Sequence, residues 1–200
     1  MIIQKINTDD LDEVVAIHLH AFKGFFLTRM GPSFLRAYYG TALDFDGCIA
    51  LLARDPKSSE VLGFAVGFHE PQGFYQAFGR LRRRLIPTVM LAALRDPGLV
   101  PQIVRNTRRI EYDGQKPKDA VELSSIAVRS SKQGVGGHLL SAFLNRVREK
   151  GAYTIALTTD AHGNADVRRF YEKHGFILDR IETRGARQLC HYVRDITKSL

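Results

Sequence analysis

The sequence predicts an α/β protein in which a mixed β-sheet is flanked by helices, and three observations support this class. The 200 residues are 44% hydrophobic and 25% charged, which is typical of a globular chain. Apolar residues follow a helical period in some segments and form short runs in others, in the order β-α-α-β-β-(segment)-β-α-β-α-β-β. No apolar run approaches the 18 residues of a membrane-spanning helix, and the N-terminus lacks a signal-peptide core. We therefore expect one domain over residues 1–200.

The first part of the chain predicts a strand, two helices and a hairpin. Apolar residues recur at helical spacing from Leu11 to Phe22, behind two aspartates that suit a helix N-terminus. Turn-forming residues at 54–59 separate two apolar runs, as in a hairpin. The predicted elements are a strand at 2–6, helices at 11–22 and around 34–39, and strands at 47–53 and 60–69.

The last 80 residues predict the remaining strands and helices. A strand at 121–128 leads through the glycine-rich turn 131–137 into an amphipathic helix. The elements expected after that helix are a strand at 153–159, a short helix at 164–174 and a closing hairpin at 176–183 and 187–194. Parallel and antiparallel neighbours must both occur in such an order, so the sheet is expected to be mixed.

The segment 70–118 stands apart by its charge and is predicted to be a basic helical insertion before the central strand. Prolines and glycines divide it into two helical pieces near 74–95 and 100–109. Residues 79–112 hold eight arginines and two acidic residues, a net charge of +6 out of +8 for the chain. Such a patch indicates an anionic partner, a membrane surface or a solvated helix face.

Cysteine and histidine usage argues against a disulfide framework and against a metal site. The chain has only Cys48 and Cys190, so a reducing, cytoplasmic location is expected. Cys48 lies in an apolar run and is expected to be a small core residue rather than a nucleophile. No cluster has zinc-ligand spacing, so no metal is expected.

The glycine-rich turn is suited to an anion. Glycines allow close approach of the backbone, and the first turn of the following helix offers free N–H groups and a positive dipole end. The Walker pattern is absent, and Leu139 stands where the dinucleotide fingerprint requires its third glycine.

Two motifs together resemble the GNAT superfamily of acetyl-CoA-dependent N-acetyltransferases. The first is Gly134-x-Gly136 between a strand and a helix; the second is Asn164 followed by Tyr171-Glu-Lys-His-Gly175-Phe176. The resemblance covers 120–178 and extends loosely to 1–69. One departure is Ser131, where the family has Gln or Arg, in a loop about two residues shorter than usual. The resemblance implies a GNAT-like sheet and acetyl-CoA as the donor.

The resemblance also implies roles for individual residues. Tyr171 takes the position of the general acid, and a backbone N–H of the strand before the turn polarises the thioester carbonyl. The implied acetyl-CoA contacts are Ile126, Ala127, Val128, Lys132, Gln133, Gly134, Val135, Gly136, Gly137 and Asn164.

The general base is predicted less directly. Glu122 lies six residues before Val128, a position that some family members use for a base. Strand alternation predicts that Glu122, Ser124, Ile126 and Val128 share one face. His69 and Glu70, after the hairpin, are alternative bases, and a water relay would need no single base.

These observations lead to one preferred function and two alternatives. We expect an N-acetyltransferase acting on a primary amine of a small molecule, such as an amino sugar or a nucleotide-linked amino sugar. The resemblance places loop 24–29 beside the acceptor, where two phenylalanines favour an apolar or ring-bearing molecule unless they only pack in the core. The alternatives are a protein N-terminal or lysine acetyltransferase and a non-catalytic basic module that binds nucleic acid or a membrane surface. We expect a monomer or homodimer.

Overall fold

A computed structural model describes residues 1–101, 103, 120–130, 134–185 and 187–197, without the side chain of Arg82. The strands are β1 (Ile2–Lys5), β2 (Cys48–Arg54), β3 (Val61–Phe68), β4 (Ala120–Val128), β5 (Thr154–Asp160), β6 (Ile177–Arg184) and β7 (Arg187–Asp195). The helices are α1 (Leu11–Ala21), α2 (Phe26–Arg29), α3 (Pro32–Leu43), α4 (Pro71–Arg80), α5 (Arg82–Arg95), α6 (Val135–Glu149) and α7 (Ala165–Lys173). Short 3-10 turns occupy Thr8–Asp10 and Pro97–Leu99.

The seven strands form one mixed sheet in the order β1-β2-β3-β4-β5-β7-β6. Among the strands that the structure describes, β4 and β5 are the one parallel pair, and the other neighbouring pairs are antiparallel. The predicted α/β class with a mixed sheet flanked by helices is confirmed, and the predicted strands differ from the observed ones by at most one residue at either end.

Each face of the sheet buries its own apolar cluster. Helix α6 packs on one face through residues such as Leu139, Leu140 and Phe143. Helices α1 and α3 pack on the other face, where Leu35 and Tyr39 meet the apolar side chains of β2 and β3. We call these the α6 face and the α1/α3 face.

Helices α4 and α5 occupy the basic segment and pack beside α2 and α3. Met30, Phe34, Leu85 and Leu99 form a third buried cluster there. Arg29 of α2 pairs with Asp96 at 2.6 Å. The helix predicted near 74–95 is confirmed as two helices, whereas most of 100–109 lies outside the described residues. That 70–118 is an insertion within a single domain stays a prediction.

No helix among the residues that the structure describes is long and apolar enough to cross a bilayer. Four arginines of the basic segment, at positions 80, 83, 84 and 95, are exposed to solvent.

Candidate active site

The central feature of the sheet is an opening between β4 and β5. Their register pairs Ala120 with Thr154, Val121 with Ile155 and Glu122 with Ala156, and the pairing ends there. Both strands are described in full and continue beyond that point, β4 to Val128 and β5 to Asp160. The strands therefore separate after Glu122, which leaves backbone groups of β4 available to a ligand.

A β-bulge in β4 lies at the start of this opening. Val66 of β3 pairs with Ser125, and Gly67 pairs with Leu123, so Ser124 is an extra residue in β4. At Gly67 the strands approach so closely that an added Cβ would collide with the Glu122 carbonyl oxygen.

The bulge overturns the prediction that Glu122, Ser124, Ile126 and Val128 share one face. Glu122 is opposite Phe68, on the α1/α3 face, whereas Ile126 is opposite Ala65 and packs into the α6-face cluster with Val128. The extra residue shifts the period-2 alternation by one position. Ala127, like Glu122, belongs to the α1/α3 face.

Glu122 is 9% exposed and lies in a buried polar group. The Tyr75 hydroxyl donates to Glu122 Oε1 at 2.9 Å, and the Tyr38 hydroxyl contacts Ser124 Oγ at 2.9 Å. Burial raises the pKa values of both tyrosines well above their usual range, and the Glu122 charge contributes to the shift. Both hydroxyls therefore stay protonated at neutral pH and can donate hydrogen bonds beside the opening.

The glycine-rich turn lies at the other end of β4, at the start of α6. Gly134 has φ of 66°, a left-handed conformation that favours glycine. Val135 is buried, and a Cβ added to Gly136 would lie 3.7 Å from Phe170 and 3.8 Å from Val128. The first N–H groups of α6 lack partners within the helix, so they can bind an anion. Ser131, Lys132 and Gln133 lie outside the described residues.

Helix α7 brings Asn164 and Tyr171 to the α6 face. Asn164 precedes the helix, and its Nδ2 donates to Thr159 Oγ1 at 2.6 Å. Tyr171 is 7% exposed and contacts the rings of Phe170, Phe176 and Tyr192. Burial raises the pKa of the Tyr171 hydroxyl, so it is protonated at neutral pH.

The alternative bases lie elsewhere. His69 and Glu70 follow β3 and line a shallow surface pocket with Lys150, Asp46, Gly47 and Phe45. Glu122 does not line this pocket, although it pairs with Phe68, the residue before His69.

The C-terminal strands carry a polar chain that sequence reasoning missed. Thr158 Oγ1 lies 3.2 Å from His191 Nδ1, and His191 Nε2 lies 2.9 Å from Glu182 Oε2. Arg184 Nη2 donates to the same Glu182 oxygen at 2.6 Å. The available signal was the alternation in β7, where His191 is a polar residue between the buried Cys190 and Tyr192.

The α1–α2 loop reaches these C-terminal strands. The Arg187 guanidinium of β7 lies 5.2 Å from the centre of the Phe25 ring, and it also pairs with Asp160 at 2.7 Å. Phe26 instead packs against the third apolar cluster. The two phenylalanines predicted to face the acceptor therefore differ: Phe26 supports the core, and Phe25 bridges to β7.

The family model of the acetyltransferase (GNAT) family matches residues 11–176. The chain belongs to the GNAT family. A search of curated proteins gives no match. Solved structures of acetyltransferases confirm this fold at low sequence identity.

Three of the similar structures each align with nearly the whole chain. An aminoglycoside 6'-acetyltransferase type Ii has a TM-score of 0.62 at 16% identity, covering 100% of both chains. A ribosomal-protein-alanine N-acetyltransferase from Brucella melitensis has a TM-score of 0.62 at 15% identity, and the match covers 98% of this chain and 99% of that one. A PaiA N-acetyltransferase from Thermoplasma acidophilum, in complex with coenzyme A, has a TM-score of 0.59 at 13% identity. The match covers 97% of this chain and 98% of that one.

This GNAT protein is an acetyl-CoA-dependent N-acetyltransferase, which confirms the expected enzyme class and donor. Its glycine turn suits an anionic group such as a diphosphate, because the first N–H groups of α6 have no partners within the helix. Among the described residues, no group of three or more His, Cys, Asp or Glu is arranged to hold a metal ion. Burial raises the pKa of the Cys48 thiol to about 12, so Cys48 is not a thiolate nucleophile at neutral pH.

Proposed function

We propose that this GNAT enzyme acetylates a primary amine of a small molecule bound on the α1/α3 face, at the opening between β4 and β5. The observation that carries the proposal is the end of β4–β5 pairing at Glu122, with a buried carboxylate on one side of the opening. The donor supplies an acetyl thioester, and the residues around the opening supply binding, orientation and proton transfer.

The donor would bind along the outer half of β4. Gly134, Val135, Gly136 and Gly137 would hold the pyrophosphate through backbone N–H groups, and Ile126–Val128 would offer backbone groups to the pantetheine arm and the carbonyl. Asn164 would act indirectly, since its side chain donates to Thr159 and so fixes the start of α7. Lys132 and Gln133 remain predicted contacts.

Tyr171 is proposed as the general acid. Its neighbour Phe170 lies beside Gly136 and Val128, so α7 meets the donor-binding turn and β4 at one place. The raised pKa of Tyr171 keeps its proton available for the sulfur that leaves the acetyl group.

Glu122 is proposed as the general base. It is the last β4 residue paired with β5, on the face from which the acceptor would approach. As the nitrogen attacks the carbonyl carbon and the C–S bond breaks, Glu122 would take a proton from nitrogen and Tyr171 would give one to sulfur. The Tyr75 hydroxyl, which donates to Glu122, would hold the carboxylate in position.

A small acceptor is favoured over a protein by the contact between Phe25 and Arg187. The α1–α2 loop crosses to β7 and so narrows this side of the opening, whereas a polypeptide acceptor needs an open groove. The exposed arginines of α4 and α5 favour an anionic group on the acceptor, as in a nucleotide-linked amino sugar.

Calorimetry with acetyl-CoA tests donor binding through an isosteric pair at Gly136. We expect Gly136→Asp to weaken binding at least a hundredfold, because its carboxylate would repel the pyrophosphate, and Gly136→Asn to bind at least tenfold more tightly than the aspartate variant. The space at this position admits a Cβ, and the two side chains have the same shape, so any effect on folding should be common to both variants. Wild-type affinity in Gly136→Asp would contradict the proposed site.

A panel of amines then tests the acceptor class and the acid–base pair. It contains glucosamine, UDP-glucosamine, an aminoglycoside and a peptide with N-terminal alanine, with free CoA thiol as the readout. We expect an amino sugar to have the highest kcat/KM, and Tyr171→Phe and Glu122→Gln each to lower kcat by about 10²–10⁴-fold with donor binding retained. A preference for the peptide would replace the small-molecule acceptor with a protein.

A further inference from the structure

The side chains of Thr158, His191 and Glu182 form a hydrogen-bonded chain with the composition of a proton relay. It consists of a hydroxyl, an imidazole and a carboxylate joined by contacts of 3.2 Å and 2.9 Å. The imidazole is 4% exposed, whereas Thr158 is exposed to solvent. The chain therefore connects a buried imidazole to the surface through one hydroxyl.

The position of Thr158 links this chain to the opening. Ala156 pairs with Glu122, and Thr158 follows two residues later on β5, so all three point to the same face of the sheet. Two residues of a strand span about 7 Å. Thr158 thus lies just beyond the point of separation, on the strand facing the bulged half of β4.

Hydrogen-bond chemistry fixes the direction of the chain when His191 is neutral. The Glu182 carboxylate only accepts, so His191 Nε2 carries the proton and Nδ1 is an acceptor. The Thr158 hydroxyl must then donate to Nδ1, and its oxygen keeps lone pairs with which it can accept from another donor. A donor such as an amine N–H is the group that this oxygen would bind.

Acetylation of an amine requires more than one proton acceptor. An ammonium nitrogen loses two protons on becoming an amide; one is matched by the proton needed by the departing sulfur, and the other leaves the site. On the proposed function, Glu122 accounts for one of these protons. We propose that the Thr158–His191–Glu182 chain accepts the other.

The transfer balances within the chain. The acceptor nitrogen gives a proton to Thr158 Oγ1 as the Thr158 hydroxyl proton passes to His191 Nδ1, which leaves an intact hydroxyl and an imidazolium. Glu182 compensates the new positive charge through Nε2–H. Proton loss from His191 to solvent restores the starting state. Thr158 touches the acceptor, and His191 and Glu182 act through it.

Other charged groups on this face bear on the pH dependence of the relay. Arg180 is opposite His191 on β6, Arg184 pairs with Glu182, and Asp160 of β5 pairs with Arg187. Glu182 contacts the ring directly, at 2.9 Å from Nε2.

The decisive experiment compares Thr158→Val and His191→Gln with Thr158→Ser and Thr183→Val. Thr183 is an exposed β6 residue opposite Gln188 and is the matched control. With the best acceptor of the panel, we expect the first two variants to lower kcat/KM about 10- to 100-fold and to make the acidic limb of its pH profile shallower. The serine variant should restore the rate, and Thr183→Val should keep both rate and profile.

A second readout does not depend on the acceptor. Imidazole ¹⁵N shifts of His191 at pH 8 should show the Nε2–H tautomer in the wild type, and acetyl-CoA affinity should be unchanged in Thr158→Val. The Nδ1–H tautomer, or wild-type pH profiles in both relay variants, would overturn the relay. If Glu122→Gln nonetheless loses activity, the proposed function survives. If neither the relay variants nor Glu122→Gln lose activity, both the relay and the proposed function are rejected.

Discussion

The two halves of the sheet are stabilised in different ways. Strands β1–β4 form the N-terminal half; β2, β3 and β4 have helices on both faces, and β3 is buried along almost its whole length. Strands β5, β7 and β6, the C-terminal half, bury Cys190 and Tyr192 on the α6 face. Their other face carries the Thr158–His191–Glu182 chain and the Asp160–Arg187 pair. Apolar burial thus dominates one half, and polar side-chain contacts line the other.

The difference explains why the opening forms where the halves meet. A strand that is apolar on both faces is fixed by burial, whereas a polar face can adjoin a ligand without loss of core packing. Glu122 and Thr158 lie on either side of this boundary. The site therefore has the buried strand β4 on one side and the polar face of β5 on the other.

Core truncation should give the largest contrast between the halves. Phe68 of β3 is fully buried and stacks on Phe74 at 3.8 Å, so Phe68→Ala should lower the free energy of unfolding by about 3–5 kcal/mol. Ile177 of β6 is 72% exposed, and Ile177→Ala should change it by no more than about 0.5 kcal/mol. Urea unfolding measures both. Losses within 1 kcal/mol of each other would reject the contrast.

The sequence predicted the strands and helices of both halves more completely than the geometry of the opening between them. The apolar run of β3 predicts a buried strand, and the helical period of α1 predicts a helix with one buried face. The two glycine-containing motifs indicated the family. The bulge at Ser124 could not be predicted, because it depends on the close approach of β3 at Gly67. The alternation that placed Glu122 and Ile126 on one face therefore failed.

Polar contacts between distant residues were equally inaccessible to sequence reasoning. Tyr75 comes 47 residues before Glu122, and His191 comes 33 residues after Thr158. Neither pair has a local spacing that marks it. Only the fold of the sheet brings such residues together, and the roles proposed for Tyr171 and Glu122 stay predictions.

A pH-dependent effect of intermediate size should arise from His18 in the N-terminal half. Its ring is buried beside Phe22, with Nδ1 2.7 Å from the Tyr39 hydroxyl, and burial lowers its pKa to about 4. Unfolding returns the pKa of the imidazole to about 6.5, so the unfolded state binds more protons than the folded state between about pH 4 and pH 6.5. Stability is therefore full above about pH 6.5 and falls as the pH is lowered towards 4.

The matched variant for this effect is His18→Gln. Between pH 7.5 and pH 5, the free energy of unfolding of the wild type should fall by about 2 kcal/mol more than that of the variant. Urea titrations at the two pH values measure the difference, and other titrating groups cancel in the comparison. An equal pH dependence of both proteins would show that His18 is not held neutral.

The smallest expected effect joins the two halves through Phe25 and Arg187. A double-mutant cycle with Phe25→Ala and Arg187→Ala should give a coupling energy of about 0.5–1 kcal/mol, as expected for a solvent-accessible cation–π contact. A control cycle of Phe25 with Arg169, an exposed residue of α7, should give none. If the loop also narrows the opening, Phe25→Ala should raise the acceptor KM more than it changes kcat, since the ring lies away from the reacting groups. Zero coupling together with an unchanged KM would show that the Phe25–Arg187 contact does not narrow the opening, and it would favour a larger acceptor.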